Sequence, residues 1–122
     1  MIKKILIIAS DRAIRLMAGF TLQIEDYSVV EAASLQEAID KIDAGLRPDL
    51  ILNGIDMHLT AGINFIKAVR EVPALRHVPI LTIASDSVLN HQVEWREAGV
   101  TAWVPQPFTG RQLLEMVSLV LF

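Results

Sequence analysis

The sequence predicts an α/β fold, a three-layer sandwich of five βα units around a parallel sheet. Short apolar runs alternate with longer amphipathic stretches along all 122 residues, and strands separated by helices require right-handed crossovers between parallel strands. The chain is also 52% hydrophobic, which is typical of a sheet buried on both faces. No repeat, linker or low-complexity segment divides the sequence, so we expect one domain over residues 1–122.

Each predicted element follows from its local pattern. Strands are expected where short apolar runs are bounded by polar or turn residues: Lys4–Ala9, Tyr27–Ala32, Leu50–Asn53, Ile80–Ala84 and Ala102–Val104. Helices are expected where apolar residues recur at helical spacing: Asp11–Ile24, Leu35–Ala44, Gly62–Glu71, Ser87–Ala98 and Gly110–Leu121. Ser34 with Glu37, and Thr109 with Gln112, have capping-box spacing. Gly45 and Gly99 stand where helix ends favour a left-handed residue.

Composition and motifs exclude several function classes. The net charge is −3 without a basic run, so no nucleic-acid footprint is present. The chain has no cysteine, hence no thiolate chemistry, which is consistent with a cytoplasmic protein. The apolar run that starts the chain stops at Asp11, which favours a first strand over a signal peptide. The histidines lack partners at metal-ligand spacing and no nucleotide-binding glycine motif occurs, so we expect neither metal nor cofactor.

The carboxyl ends of the strands are the expected location of function in such a sheet. Those ends read Ala9-Ser10-Asp11, Asn53-Gly54-Ile55-Asp56, Ala84-Ser85-Asp86 and Pro105-Gln106-Pro107-Phe108. None of them contains a serine beside a base or a nucleophile elbow. An enzyme is therefore not indicated by these motifs.

The same segments resemble a protein family. The stretches "KKILIIASDRAIR", "RPDLILNGIDMHLTAGINFIKAVR", "VPILTIAS" and "AGVTAWVPQPF" are similar to the receiver domains of bacterial two-component response regulators, over nearly the whole chain. The resemblance implies a flavodoxin-like fold with strand order 2-1-3-4-5 and a cis peptide bond between Gln106 and Pro107. It also implies a module that receives a phosphoryl group from a histidine kinase on an aspartate, with Mg²⁺ bound.

Five positions depart from the family pattern. The two Mg²⁺-binding acids of the family fall on Ala9 and Ser10, and the phosphoacceptor aspartate falls on Gly54. The hydroxyl residue after the fourth strand falls on Ala84, and the lysine before the proline falls on Gln106. Because Mg²⁺ prefers carboxylate ligands and phosphoryl transfer depends on positioned charge, we expect a degenerate receiver, or pseudo-receiver, that acts without phosphorylation.

Two alternatives stay open from the sequence. Asp11 and Asp56 stand close to the lost acids and could form a displaced acid pair, with Asp56 as a working phosphoacceptor. The competing interpretation is that Asp11 caps the first helix and that Asp56 is a solvated loop residue. The second alternative is a flavodoxin-like protein that binds a small ligand in the vacated pocket.

The last helix suggests a working surface. It carries more apolar residues than one buried stripe needs, and we expect Met116, Val120 or Phe122 to lie outside the core. In the family, partners dock on the face made by the fourth helix, fifth strand and fifth helix, so we expect a signalling protein, an output domain or a second copy there. Trp103, on the fifth strand, is expected to keep one rotamer, since Ala84 has no hydroxyl to couple to it.

Overall fold

The computed structural model describes residues 2–54, 59–84 and 89–121. Its strands form one parallel five-stranded sheet in the order β2-β1-β3-β4-β5, which confirms the predicted fold class. The strands are β1 (Lys4–Ile8), β2 (Ser28–Ala32), β3 (Leu50–Asn53), β4 (Ile80–Ala84) and β5 (Ala102–Pro105). The helices discussed below are α1 (Arg12–Ile24), α2 (Leu35–Asp43), α3 (Leu59–Glu71), α4 (Gln92–Ala98) and α5 (Gly110–Val120).

Two apolar clusters lie on opposite faces of the sheet. Successive side chains of a strand point to opposite faces, so Leu6 and Ile8 of β1 belong to one cluster and Ile5 and Ile7 to the other. The first cluster contains residues of α2, α3 and α4. The second contains residues of α1 and α5. The chain therefore has the three layers that its alternating sequence pattern predicts.

Most element boundaries agree with the prediction to within one or two residues. The main differences are α3, which begins at Leu59 rather than at Gly62, and α4, which spans Gln92–Ala98 rather than Ser87–Ala98. The 3₁₀ turn at Pro73–Leu75 was not predicted from the sequence. The predicted start of the fourth helix at Ser87 lies outside the described residues. Within the described ranges, no helix is long and apolar enough to cross a membrane.

The predicted helix caps are formed. The Ser34 hydroxyl accepts the Glu37 backbone N–H at 3.0 Å, and Thr109 forms a complete capping box with Gln112. Gly45 and Gly99 have φ values of 110° and 126°, a region that residues with a Cβ atom rarely adopt. These local signals fix where α2, α4 and α5 begin or end.

One arginine joins the segments that precede β4 and β5. The Arg70 guanidinium, at the end of α3, donates to the carbonyl oxygens of Val78 at 2.6 Å, Leu75 at 2.9 Å and Arg76 at 3.2 Å. It also donates to the Gly99 carbonyl oxygen at 2.6 Å. Burial lowers the pKa of Arg70 from its usual value, since desolvation disfavours the charged form. Arg70 thus ties α3 to both loops at the amino-terminal edge of the sheet.

Candidate functional site

The structure brings the predicted site positions together at the carboxyl edge of the sheet. β1 and β3 are neighbours with Ile8 opposite Asn53, so Ala9 and Gly54 leave adjacent strands side by side. β4 and β5 are neighbours with Ala84 opposite Pro105, and Gln106 follows directly. The sequence correctly predicted that these positions share one edge. Of Ala84, only the backbone belongs to the described part of the chain.

Gly54 is enclosed by apolar groups and backbone. Its N–H donates to the Ile8 carbonyl oxygen at 2.6 Å. A Cβ atom at this position would lie 3.0 Å from Ile83 Cδ1, 3.2 Å from the Ile8 carbonyl oxygen and 3.4 Å from Ala9 Cβ. The first two separations are shorter than ordinary van der Waals contact. A side chain leaving β3 at Gly54 would therefore be crowded by its neighbours, which would have to shift by a few tenths of an ångström.

Ile83 is a site residue that the sequence did not reveal. It is only 6% exposed and belongs to the apolar cluster beneath α1 and α5. Strand alternation predicts which face it occupies, but no sequence signal gives the distance between its terminal methyl and Gly54. The structure shows that Ile83 and Ala9, which is fully buried, form an apolar wall at the centre of this edge.

Within the described residues, a guanidinium lies at the exit of β1 and is paired with a carboxylate. The Arg15 guanidinium donates to the Ala9 carbonyl oxygen at 2.8 Å, and its Nε lies 3.4 Å from a Glu31 carboxylate oxygen. A cation here opposes the binding of a second cation, because like charges repel in a partly desolvated site. Residues 2–54, 59–84 and 89–121 contain no cluster of three His, Asp or Glu residues that could hold a metal.

Asp11 acts as the N-cap of α1. Its carboxylate accepts the Ala13 N–H at 2.8 Å and the Ile14 N–H at 3.4 Å, which satisfies two backbone donors at the start of the helix. The cap predicted from the sequence is formed. Asp56, its proposed partner in a displaced acid pair, lies outside the described residues.

The remaining predicted site positions are exposed. Ser10 and Gln106 both lie on the surface, and neither side chain has a hydrogen bond within the described residues. The Gln106–Pro107 peptide bond is cis, as the resemblance implied. A neutral amide thus stands where the family uses a lysine.

Beside the site, a polar row crosses the sheet beneath α3 and α4. Asn53 is paired with Thr82, and Thr82 with Trp103, in the strand register. Asn53 and Thr82 are buried. The Thr82 hydroxyl and the Trp103 indole N–H have no hydrogen-bond partner within the described ranges. A buried hydroxyl without a hydrogen-bond partner lowers the stability of the folded protein, so the Thr82 hydroxyl destabilises the core at this point.

Trp103 lies between the core and the surface of β5. It is half-buried and packs against the cluster beneath α2, α3 and α4, and the Arg96 guanidinium lies 5.2 Å from the centre of its ring. This separation is within the range of a cation–π contact. The expectation that Trp103 keeps one rotamer stays a prediction.

The expected exposed positions on α5 need a correction. Met116 and Val120 are half-buried and pack against the second apolar cluster, while Leu119 is 68% exposed. The reason is helical geometry: Met116 and Val120 each lie three residues after the buried Leu113 and Val117, on the flank of the buried stripe. Phe122 lies outside the described residues.

Comparison with known proteins gives the family of this fold and site. The profile described as "Response regulator receiver domain" matches residues 5–118. The chain belongs to this family. Among solved structures, the receiver resembles the chemotaxis response regulator CheY4 of Vibrio cholerae, with a TM-score of 0.88, 33% identity and coverage of 99% of this chain and 100% of that one. It also resembles a putative response regulator from Chloroflexus aurantiacus, with a TM-score of 0.85, 26% identity and coverage of 99% and 98%.

Curated relatives of the receiver include a transcriptional regulatory protein and a response regulator. The phosphate regulon transcriptional regulatory protein PhoB of Escherichia coli is 26% identical over 121 residues, which are 99% of this chain and 52% of that protein. The response regulator MprA of Mycolicibacterium vanbaalenii is 29% identical over 118 residues, which are 97% of this chain and 50% of that protein. The chain thus spans about half the length of the curated relatives it matches.

Proposed function

We propose that this receiver transmits a signal by protein–protein interaction, without being phosphorylated and without acting as an enzyme. The observation that carries the proposal is the closure around Gly54. Ile83 Cδ1 and the Ile8 carbonyl oxygen crowd this position, so a side chain there would require them to shift by a few tenths of an ångström, and Ala9 fills the neighbouring exit with a methyl group. A receiver with this site keeps the receiver fold but lacks the aspartate carboxylate that accepts the phosphoryl group in the family.

The chemistry of the edge supports the same proposal. Mg²⁺ is usually held by carboxylates and waters, whereas Ala9, Ser10 and Gly54 stand at the family's acid positions. The carboxylates that the structure describes nearby are engaged, Asp11 in the cap of α1 and Glu31 with Arg15. Phosphoryl transfer relies on positioned charge, and loss of one such group typically reduces the rate about 10²–10³-fold. With no carboxylate at position 54, no acyl phosphate can form there.

The partner is proposed to dock on the face made by α4, β5 and α5. Val93 on α4 is 66% exposed, and α4 packs on the sheet whose edge strand is β5. Pro105 on that strand lacks a backbone donor, which discourages pairing with another strand and favours side-chain docking. We infer a signalling protein or an output domain as the partner, since the relatives are about twice as long as this chain. A cytoplasmic location is proposed because the sequence has no cysteine.

Intact-mass measurement after incubation with a small phosphodonor and Mg²⁺ tests the proposal. The expected result is no mass gain, while an ordinary receiver in the same mixture gains one phosphoryl group. A gain on the wild type that disappears in Asp56→Asn would overturn the proposal in favour of the displaced acceptor. A small molecule retained through purification and released on denaturation would favour the flavodoxin-like ligand binder instead.

A matched pair of variants tests the docking face once a partner is captured. Val93→Glu places a charge on α4, within the proposed face, and Phe20→Glu places one on a similarly exposed residue of α1, since the two side chains are 66% and 68% exposed. We expect Val93→Glu to weaken partner binding at least about tenfold, as is typical of a central apolar contact, and Phe20→Glu to leave it unchanged. The reverse order would show that the face is wrong.

A further inference from the structure

A groove of about 650 Å³ lies between the end of α1 and the neighbouring side of α5. One wall carries Glu25 and Tyr27, from the turn that joins α1 to β2, and the other carries Leu114, Ser118 and Leu119 of α5. Tyr27 and Leu114 are half-buried and pack against the second apolar cluster, whereas Leu119 is 68% exposed. The volume lies within the ~300–1,000 Å³ usual for ligand sites, so the groove has room for several side chains of a partner.

The side-chain charges that line the groove leave one carboxylate uncompensated. Glu25 stands on one wall and Glu115 on the other. Arg111 also lines the groove, but its Nε lies 3.4 Å from a Glu115 carboxylate oxygen, and its side chain is 89% exposed. Glu25 forms no ion pair within residues 2–54, 59–84 and 89–121. The Arg111 charge is therefore offset by Glu115, and the Glu25 charge is offset by no described side chain.

Two helix ends add to the negative potential at Glu25. The helices α1 and α5 each follow a strand and run back across the sheet, so both end at its amino-terminal edge, where Glu25 and Leu119 lie. The carboxyl end of a helix carries a partial negative charge, which a basic side chain in the last turn offsets. Neither α1 nor α5 has a basic residue in its last turn. Both helix ends thus favour a cation from outside the described chain.

We propose that this groove binds a basic amphipathic segment of a partner protein. An arginine or lysine side chain of the segment pairs with Glu25 near the two helix ends, and a neighbouring apolar side chain packs against Leu114 and Leu119. Tyr27 adds an aromatic ring, a group that attracts cations. The same charges repel nucleic acid, anionic lipid and acidic peptides. A free small cation would leave the exposed Leu119 uncovered, so a segment with both kinds of side chain fits the groove best.

This groove is separate from the α4–β5–α5 face. Its walls are the α1–β2 turn and the side of α5 that lies nearest that turn, whereas α4 packs against the opposite face of the sheet. A receiver with both surfaces can hold two partners at once. The inference therefore goes beyond the proposed function and does not depend on it.

NMR titration of the ¹⁵N-labelled protein with capped hexapeptides tests the proposal. A peptide with two leucines and two arginines should shift the backbone amide signals of Glu25, Tyr27 and Leu119 saturably. Its dissociation constant should be on the order of 0.1–1 mM, since one exposed ion pair and two leucine contacts contribute modestly. Raising the salt from about 50 to about 300 mM should weaken binding, because salt screens exposed charges.

Two control ligands separate the contributions of charge and apolar contact. The same peptide with glutamates in place of arginines should bind at least about tenfold more weakly, because Glu25 and the helix ends repel it. Free arginine amide carries the cation without the leucines and should also bind at least about tenfold more weakly.

Variants at exposed positions locate the contact without disturbing the fold. Glu25→Gln should weaken binding of the basic peptide about two- to fivefold, the range of an exposed ion pair, and Leu119→Ser about fivefold through lost apolar contact. Glu97→Gln, at an exposed acid of α4, is the matched control and should bind as the wild type does.

The proposal is overturned by any of four results: no saturable shifts with the basic peptide, a glutamate peptide that binds equally well, arginine amide that binds as tightly as the basic peptide, or a Glu25→Gln variant that binds like Glu97→Gln. None of these measurements uses phosphorylation or the partner of the α4–β5–α5 face, so either proposal can fail alone.

Discussion

Replacing Gly54 with aspartate, the family's phosphoacceptor residue, should destabilise this protein rather than restore its chemistry. The new Cβ would lie 3.0 Å from Ile83 Cδ1 and 3.2 Å from the Ile8 carbonyl oxygen. The isoleucine methyl can move, but the carbonyl is held because it accepts the Gly54 N–H at 2.6 Å. Overpacking of this kind costs about 1–3 kcal/mol. A carboxylate beside buried aliphatic groups adds a desolvation cost of about 1 kcal/mol or more.

We therefore expect Gly54→Asp to lower the free energy of unfolding by roughly 2–4 kcal/mol, a large share of the ~5–15 kcal/mol typical of a domain. Urea denaturation measures the loss as a lower midpoint at an unchanged slope. Gly54→Ala is the control for size alone and should cost less, because it adds the Cβ without the charge.

A double-mutant cycle with Ile83→Val identifies the cause. Valine lacks the Cδ1 atom that the new Cβ would meet, so Gly54→Asp should cost about 1 kcal/mol less in the Ile83→Val background than in the wild type. If Gly54→Asp were as stable as the wild type, or if the two substitutions were additive, the closure around Gly54 would not be the barrier that we describe.

Three shorter predictions concern the core, the loops and the metal. Thr82→Val should stabilise the protein by about 1 kcal/mol, since the buried Thr82 hydroxyl has no hydrogen-bond partner in the described ranges; a loss in thermal unfolding measurements would mean that the hydroxyl is satisfied. Gly99→Ala should cost more than Gly45→Ala, because both have positive φ but only the Gly99 Cβ would meet Arg70, at 2.8 Å; equal midpoints in urea would refute this. Millimolar Mg²⁺ with beryllofluoride should leave the Tm unchanged, since bound ligand would raise it; a rise that depends on both additions would contradict a degenerate pocket.

The fold was largely accessible from the sequence because local and global signals agree. Thr109 with Gln112 marks the start of α5 by side-chain chemistry alone, and Gly45 and Gly99 mark helix ends by their backbone freedom. The early start of α3 was missed because Leu59 has no capping residue that the sequence signals could identify. Local sequence patterns therefore predict the presence of helices and strands well, and they predict the first residue of an uncapped helix poorly.

The site was only partly accessible. The glycine at the phosphoacceptor position, Gly54, is visible in the sequence once the family is recognised. The crowding of Gly54 by Ile83 is not, because Ile83 lies on another strand and the distance between the two residues depends on packing. The exposed residue of α5 was misassigned for a related reason. Counting apolar residues shows that some must be exposed, whereas the angle at which the helix sits on the sheet decides that Leu119 is the one.

The Arg70 contacts have a consequence for engineering this scaffold. Arg70 holds the segments that lead into β4 and β5, and the residues that depart from the family pattern lie where the strands end. The Arg70 hydrogen bonds therefore lie at the amino-terminal edge of the sheet, and the positions that depart from the family pattern lie at the carboxyl edge. Loops at the carboxyl edge can be exchanged, lengthened or recoded for a new ligand without touching these four carbonyl contacts, which makes the chain a candidate framework for grafted binding sites.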